Sequence, residues 1–368
     1  MTTRATTDVI VVGAGPIGLM TAWRAARAGA QVRLLDDGGT PAGHVAAGML
    51  GPWSEAEHRD GAMHDLMVAA ARRWPDVARE LAEDSGHDVG FTASGTLLVA
   101  CRPEHMAPLR RHGEVVKGLD DPLEWRTGGE LRALEPGLGT TVAGGYALEH
   151  EHQVDPRRLM AALRAANAAR GVHSETGGAR RLVERDDAIV GVETRDGTRF
   201  TARTTVVAAG WEASQLAEGV PLRPVKGQIL RLFGEDPPVT RVVRSADAYV
   251  APRPSGEVVV GGTVEERGDR RVIAGAVSRL LEDAIALVPD LRELELREVA
   301  AGLRPATPDG LPAIGADRRA GLIWAAGAFR HGILLSPVIA EAAGGLAAGH
   351  DPLPGMAPFS PRRFREAA

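Results

Sequence analysis

Cysteine is almost missing from this chain: Cys101 stands alone among 368 residues. No intrachain disulfide can form and no cysteine-ligated metal or cluster can be built, which fits a reducing cytoplasm. Lysine is nearly as scarce. Lys117 and Lys226 are the only two, and with abundant alanine and glycine this reflects genomic base composition rather than function. Excess positive charge is lacking too. The formal net charge is −5, which argues against a nucleic-acid or anionic-membrane partner. No uninterrupted apolar run is long enough for a membrane-spanning helix. The best contender, Val9 to Trp23, follows Asp8 and is broken by Gly13, Gly15 and Pro16. It reads as strand, turn and helix rather than as a signal-peptide core.

What is present is an ordinary globular composition, 44% hydrophobic and 25% charged, over a length suited to two packed domains. Val9-Ile-Val-Val12 is an all-apolar run, as expected of a strand covered on both faces. Ile17 to Ala28 reads as a helix ending at Gly29, and Gln31 to Asp36 as a second strand, which completes a β-α-β unit. Ala62 to Ser85 has helical spacing, and Phe91 to Ala100 is strand-like. Residues 101–145 mix turn signals with short elements. Asp155-Pro156 is a helix start, a capping acid followed by a proline suited to the first turn, and the helix should reach about Arg170. Leu182 to Ala208 predicts two strands around Asp196-Gly197. Val225 to Phe233, Ala248 to Pro252 and Glu257 to Gly262 read as an antiparallel sheet. Arg270 to Leu287 is a predicted helix, Val299 to Leu303 and Leu322 to Ala326 are strand-like, and Ile333 to Ala348 is a closing helix. The tail after His350 reads as a surface extension.

The chemistry starts in Gly13-Ala-Gly-Pro-Ile-Gly18. Amides at a helix N-terminus carry partial positive charge and can hold a pyrophosphate. Gly13 permits the tight turn, Gly15 the approach of the phosphate, and Gly18 close packing of helix on strand. Asp36, at the end of the second strand, is placed to accept hydrogen bonds from a ribose and would repel a 2′-phosphate. The motif serves FAD and NAD alike. Two segments favour FAD. Ala46-Ala-Gly-Met-Leu50 is a small-residue turn suited to a flavin or its ribityl chain, and Gly327 to Leu335 forms a loop before a helix whose N-terminus suits negative charge on a reduced flavin. No second GxGxxG offers a nicotinamide site. Electrons then come from an organic substrate and leave to oxygen or another acceptor.

Eight blocks extend this reading: Asp8 to Gly18, Ala46 to Leu50, Val206-Val-Ala-Ala-Gly-Trp211, Pro224-Val-Lys-Gly-Gln228, Tyr249-Val-Ala-Pro252, Val258-Val-Val-Gly-Gly-Thr263, Ala301-Gly-Leu-Arg-Pro305 and Arg330 to Leu335. In these, and in their order along nearly the whole chain, the sequence resembles the glycine oxidase (ThiO) branch of the D-amino-acid oxidase/sarcosine oxidase family. The resemblance implies an α/β fold of D-amino-acid oxidase type, a Rossmann-like FAD-binding domain with an interleaved antiparallel-sheet substrate domain. We expect the first in residues 1–85, 146–220 and 304–368, and the second in 86–145 and 221–303. It implies oxidative deamination of glycine, sarcosine or small D-amino acids with oxygen as acceptor, peroxide release, supply of an imine to the thiazole half of thiamine, and a homo-oligomer. An amine oxidase of secondary metabolism and a flavoprotein without oxidase turnover stay open as alternatives.

The expected cofactor contacts are Gly13, Gly15, Pro16, Ile17, Gly18, Asp36, Asp37, Gly43, His44, Ala47, Gly48, Met49, Arg180, Ala209, Gly210, Ala328, Phe329, His331, Gly332, Ile333 and Leu334. FAD should be non-covalent, because Cys101 lies far along the chain from Gly302, near which sarcosine oxidases carry their linking cysteine. Arg304 is the expected carboxylate anchor, its fork matching two parallel charged hydrogen bonds. Tyr249 adds a hydroxyl donor, and Arg330 resembles the position whose backbone carbonyl faces the substrate amine. Hydride transfer from the α-carbon of a neutral amine then needs no side-chain base. The sequence departs from the family pattern at Asp36, His44-Val45, Ala306, Ala328 and His331. His150 and His152 flank Glu151 without a third ligand, which reads as a solvated loop. Ser54, His58 and Asp60 lack the strand-turn-helix elbow of a hydrolase nucleophile.

Overall fold

The alternation inside Val9-Ile-Val-Val12 sets the centre of the fold. Val9 and Val11 enter one apolar core, Ile10 and Val12 another, so this strand is covered on both faces. The computed structural model describes residues 3–56, 61–117 and 123–366. In it the first strand, Thr3–Val12, pairs in parallel with Val32–Asp36 and Arg199–Val207. The sheet runs in the order Ala313–Ala316, Leu322–Ala326, Arg199–Val207, Thr3–Val12, Val32–Asp36, His173–Thr176. The hairpin Ala179–Arg185/Ala188–Thr194 joins it through Arg199–Val207. Helices Pro16–Arg27, Gly61–Ser85, Pro156–Ala169 and Ser336–Ala348 pack together on one face. Their shared core holds the fully buried Trp23 and Trp74. Each indole N–H is satisfied, by Asp84 Oδ2 at 2.8 Å and by the Leu334 carbonyl at 2.9 Å. Asp155 caps its helix as expected, accepting from the amides of Arg157 and Arg158.

The second sheet runs Glu295–Ala306, Arg223–Phe233, Glu257–Gly261, Tyr249–Pro252, Val242–Arg244, Thr96–Ala100, Gly144–Leu148, Arg126–Thr127. Its pairs are antiparallel except Val242–Arg244 with Thr96–Ala100. The strands Gly144–Leu148 and Glu295–Ala306 run through the expected limits at 145 and 303. Helix Ala274–Leu287 covers its outer face. Arg253 ties the two parts: buried, it donates to Gln153 Oε1 and to the Ala47 carbonyl.

Several expectations need correction. Residues 101–145 contain a 15-residue helix, Pro103–Lys117. Pro108 and Gly113 hide it in the sequence. Gly113 is there for space, since a Cβ would lie 2.1 Å from the Tyr146 hydroxyl. Leu182 to Ala208 holds parts of three strands, because Asp186 and Asp187 make a second turn at φ 52° and 59°, the geometry of a tight hairpin. The strand after Phe91 begins only at Thr96, and Thr92 makes a lone bridge to Gln153. The helix expected from Arg270 starts at Ala274, and that expected from Ile333 starts at Ser336. The tail is no loose extension. Phe359 is buried in the main core, Arg362 donates to the Asp317 carbonyl, and Arg363 pairs with Asp309.

Candidate active site

A single cavity of about 820 Å³ runs from the first strand–helix junction to the inner face of the second sheet. At one end lie Gly13, Gly15, Pro16, Ile17, Asp36, Asp37, Gly43, Ala47, Gly48, Met49, Arg180, Ala209 and Gly210. Gly13 has φ +107°, and a Cβ on it would meet the Ala208 carbonyl at 2.5 Å. A Cβ on Gly18 would meet the Gly13 carbonyl at 1.8 Å, whereas at Gly15 the nearest atom is 3.7 Å away. The three glycines thus serve turn, packing and open approach respectively. Gly15 caps the helix with no side-chain hydrogen bond and no acid follows in the first turn. The amides and the positive end of the helix are left for an anion. Two expected contacts do not line the cavity. Gly18 packs against Gly13 and Ala208, just past the ends of two strands, and His44 lies outside the lining, its backbone carbonyl accepting from Arg157 and Arg231. Burial and Arg157 lower the His44 pKa. Ala328, Phe329, Arg330, His331, Gly332, Ile333 and Leu334 form the middle of the wall. Phe329 holds φ +45°. The closing helix starts only at Ser336, so the segment that faces the cavity here is a one-turn 3-10 helix, Phe329–His331, and the turn after it.

The other end is built by strand register. Arg304 pairs with Val225; two and four residues on, Gly227 pairs with Gly302 and Ile229 with Ala300. Ile229 pairs with Gly261, Gly261 with Tyr249, and Tyr249 with Arg244. Directly paired residues share a face, as do residues two apart. Arg304, Gly227, Gly261, Tyr249 and Arg244 therefore point into the same cavity. The Arg304 guanidinium lies over Gly227, where a Cβ would be 2.3 Å from both Nη atoms. Its Nη1 donates to the Thr263 and Lys226 carbonyls at 2.9 and 3.3 Å, which fixes its plane. The Tyr249 hydroxyl lies over Gly261, where a Cβ would be 2.3 Å away. At Gly262 a Cβ would be 3.1 Å from that hydroxyl and 3.5 Å from Arg304 Nη2, so the two groups converge. Burial raises the Tyr249 pKa against the pull of Arg304 and Arg244, and the phenol stays a donor. Burial also lowers the Arg304 pKa, aided by Arg330.

The block Val225-Lys-Gly-Gln228 gains a physical reason. Gly227 makes room for Arg304 on the cavity face. Lys226 and Gln228, on the opposite face, hold the loop after Gly262: Lys226 Nζ lies 3.2 Å from Asp269 and 3.8 Å from Glu265, and Gln228 bonds Glu265 and the Ile273 amide.

Two acids escaped the sequence reading. Glu55 lines the cavity, its Oε1 2.5 Å from Arg244 Nη1 and its Oε2 2.9 Å from His331 Nδ1. Burial works to raise the Glu55 pKa, but Arg244, His331 and Arg330 outweigh it and hold the carboxyl well below the usual carboxylate range. Arg244 sits on a three-residue strand, too short to show period-two alternation, and Glu55 sits in a loop without local signal. Glu151, expected in a solvated loop, is fully buried and accepts from the amides of Trp53 and Ser54 at 2.8 and 2.6 Å. Burial pushes its carboxyl up to about 7, against those two hydrogen bonds. No group of three or more His, Cys, Asp or Glu side chains suits a metal among the described residues. Of the triad residues considered, His58 and Asp60 lie outside the described residues. Cys101 is half-buried against the second core, away from the cavity.

The open glycine cradle, the acid at the strand end and the long cavity fit a dinucleotide such as FAD. Comparison with known proteins agrees. A family model described as DAO, FAD dependent oxidoreductase, matches residues 8–346, and the chain belongs to that family. It is an FAD-dependent oxidoreductase of D-amino-acid oxidase type. It is 33% identical to the glycine oxidase of Geobacillus kaustophilus (strain HTA426) over 367 residues, 96% of each chain. It is also 33% identical to the bifunctional protein ThiO/ThiG of Nostoc sp. (strain PCC 7120), covering 91% of this chain and 52% of that one. The crystal structure of the glycine oxidase from Geobacillus kaustophilus superposes with a TM-score of 0.90 at 32% identity, covering 97% of this chain and 98% of the other. No helix among the described residues is long and apolar enough to cross a membrane.

Proposed function

We propose that the protein oxidises glycine, or a similarly small amine-bearing acid, to an imine that hydrolyses to glyoxylate and ammonia, with release of hydrogen peroxide. The observation that carries this reading is the convergence of Arg304 and Tyr249 near Gly262. A guanidinium in a fixed plane beside a protonated phenol suits one carboxylate. The glycine oxidase relative supports the substrate class, and the ThiO/ThiG relative supports a role in making the thiazole of thiamine. A cytoplasmic homo-oligomer belongs to the same reading.

When bound, FAD supplies the acceptor for the hydride from the substrate α-carbon and the route for its two electrons to oxygen. The chain's own residues do the rest. Asp36 would accept from the ribose, and the Gly15–Ile17 turn would hold the pyrophosphate. Arg304 and Tyr249 would fix the carboxylate and so hold the α-carbon in one place, which removes much of the entropic barrier. The Arg330 carbonyl would accept from the amine. Hydride loss from a neutral amine calls for no side-chain base, so the rate should fall below neutral pH as the bound amine protonates. Peroxide release measured side by side with glycine, sarcosine, D-alanine and D-proline tests the reading. Turnover of glycine or sarcosine supports it, and a yellow protein that releases peroxide with none of the four refutes it.

A further inference from the structure

The carboxylate anchor is itself held in place. Among the described residues, both hydrogen bonds of Arg304 leave from Nη1, to the Thr263 and Lys226 carbonyls. Nη2 is left on the side where the Tyr249 hydroxyl converges, near Gly262. The shorter of the two bonds, 2.9 Å, goes to Thr263, and Thr263 belongs to no strand. It lies in the loop between the strand Glu257–Gly261 and the helix Ala274–Leu287. Where its carbonyl stands depends on what fixes that loop. The same loop lends Val264, Gly268 and Arg270 to the cavity wall.

Two side chains of one strand fix it. Lys226 and Gln228 flank Gly227 and so lie on the face opposite the cavity. The backbones of Lys226 and Glu265 exchange two hydrogen bonds, both 2.9 Å. The Thr263 hydroxyl accepts from the Gln228 amide at 2.9 Å and donates to Glu265 at 2.7 Å. Gln228 donates to Glu265 at 2.6 Å and accepts from the Ile273 amide at 2.7 Å. Lys226 Nζ lies 3.2 Å from Asp269 and 3.8 Å from Glu265. Lys226 is fully buried, whereas the Asp269 side chain keeps 32% of its surface accessible. A cation taken out of water has to be matched by charge, so Lys226 draws the two acids, and the loop that carries them, onto the strand. Burial works to raise the Glu265 pKa, but hydrogen bonds from Gln228 and Thr263 and the charges of Lys226 and Arg267 outweigh it. Glu265 therefore stays an anion for Lys226 to hold.

We propose that Lys226 is a positioning residue for the substrate carboxylate. From the far face of the sheet it clamps the loop 263–273, and thereby sets the Thr263 carbonyl that fixes the Arg304 guanidinium. The inference rests on the reading of Arg304 as the carboxylate anchor. A purely structural lysine would affect stability alone; a clamp on Arg304 affects carboxylate affinity, and does so through Arg304.

The test is the affinity of the holoenzyme for acetate, read from the flavin absorbance. Lys226→Met should weaken acetate ~10-fold, about the loss of one hydrogen bond to a charged group. Lys226→Arg should lose less. Asp269→Asn, at the accessible end of the clamp, should act in the same direction by a smaller factor, and it decides the matter if Lys226→Met does not fold with flavin bound. Arg304→Lys keeps a cation but has no second nitrogen to bond the Thr263 carbonyl while the first faces the ligand. Added to Arg304→Lys, Lys226→Met should therefore cost less than twofold. Acetate affinity within twofold of the parent in both Lys226→Met and Asp269→Asn overturns the proposal and leaves the anchor standing. So does a Lys226→Met loss that persists in full beside Arg304→Lys. Acetate that does not bind the parent, or binds it independently of Arg304, refutes the anchor and the clamp together. Clamp-dependent acetate binding in a protein that oxidises no amino acid would keep the clamp and refute the oxidase reading.

Discussion

Adding one methyl group at Gly227 should disable the carboxylate anchor while leaving the fold and the cofactor intact. Gly227 lies in the strand Arg223–Phe233 and is not among the residues with positive φ, so alanine suits its backbone. The three atoms nearest a Cβ there all belong to the Arg304 head group: Nη1 and Nη2 at 2.3 Å and Cζ at 2.4 Å. Ordinary contact begins at 3.4 Å, so the guanidinium has to retreat by about an ångström, breaking its bonds to the Thr263 and Lys226 carbonyls. Arginine is flexible, so the fold tolerates this. A misplacement of that size can cost on the order of 100-fold in rate, and losing one charged hydrogen bond costs about 1.5–3 kcal/mol. Gly227→Ala should therefore lower kcat/KM for glycine ~10- to 100-fold, with full flavin absorbance and a melting temperature within a few degrees of the parent. Gly275→Ala is the control, because nothing lies within 4 Å of a Cβ there. Since the methyl acts through Arg304, Gly227→Ala combined with Arg304→Ala should be no worse than Arg304→Ala alone. A Gly227→Ala enzyme with parental kinetics, or a double variant showing fully additive losses, would refute the reasoning.

Asp36→Ala should weaken FAD by ~10- to 100-fold, the cost of a charged hydrogen bond; titrating apoprotein with FAD by flavin fluorescence checks it, and an unchanged affinity would remove Asp36 from the ribose site. Glu151 makes stability depend on pH. Its folded pKa of about 7 exceeds its ordinary 4.5, so between those values the folded state holds the extra proton and stability falls as pH rises. The full shift corresponds to about 3 kcal/mol, and Glu151→Gln should remove it; urea midpoints at pH 5 and pH 8 that shift equally in both proteins would count against this. Burial pushes the Cys101 thiol up to about 11, with Asp247 adding to it. At pH 8 about one molecule in a thousand would carry the thiolate, so Ellman's reagent should label the native chain far more slowly than the urea-unfolded one. Equal rates would mean that the cysteine is open.

The sequence by itself determined the cofactor end, because its determinants are local. Gly13, Gly15, Gly18 and Asp36 lie within one β-α-β unit, where turn, helix start and strand end follow from neighbouring residues. The two-sided burial of Val9 to Val12 was legible for the same reason, as was the Asp155 cap. Arg304 and Tyr249 were found through family blocks rather than local pattern. Only the tertiary structure decided what surrounds them. Face sharing across Arg304, Gly227, Gly261, Tyr249 and Arg244 depends on strand register, which no single segment encodes. Glu55 gains its partners from a strand 189 positions away and a turn 276 positions away. Glu151 looked solvated between two histidines, yet packing buried it beneath the amides of Trp53 and Ser54. Short-range chemistry set the glycine cradle; long-range pairing set which charges share the far end of the cavity.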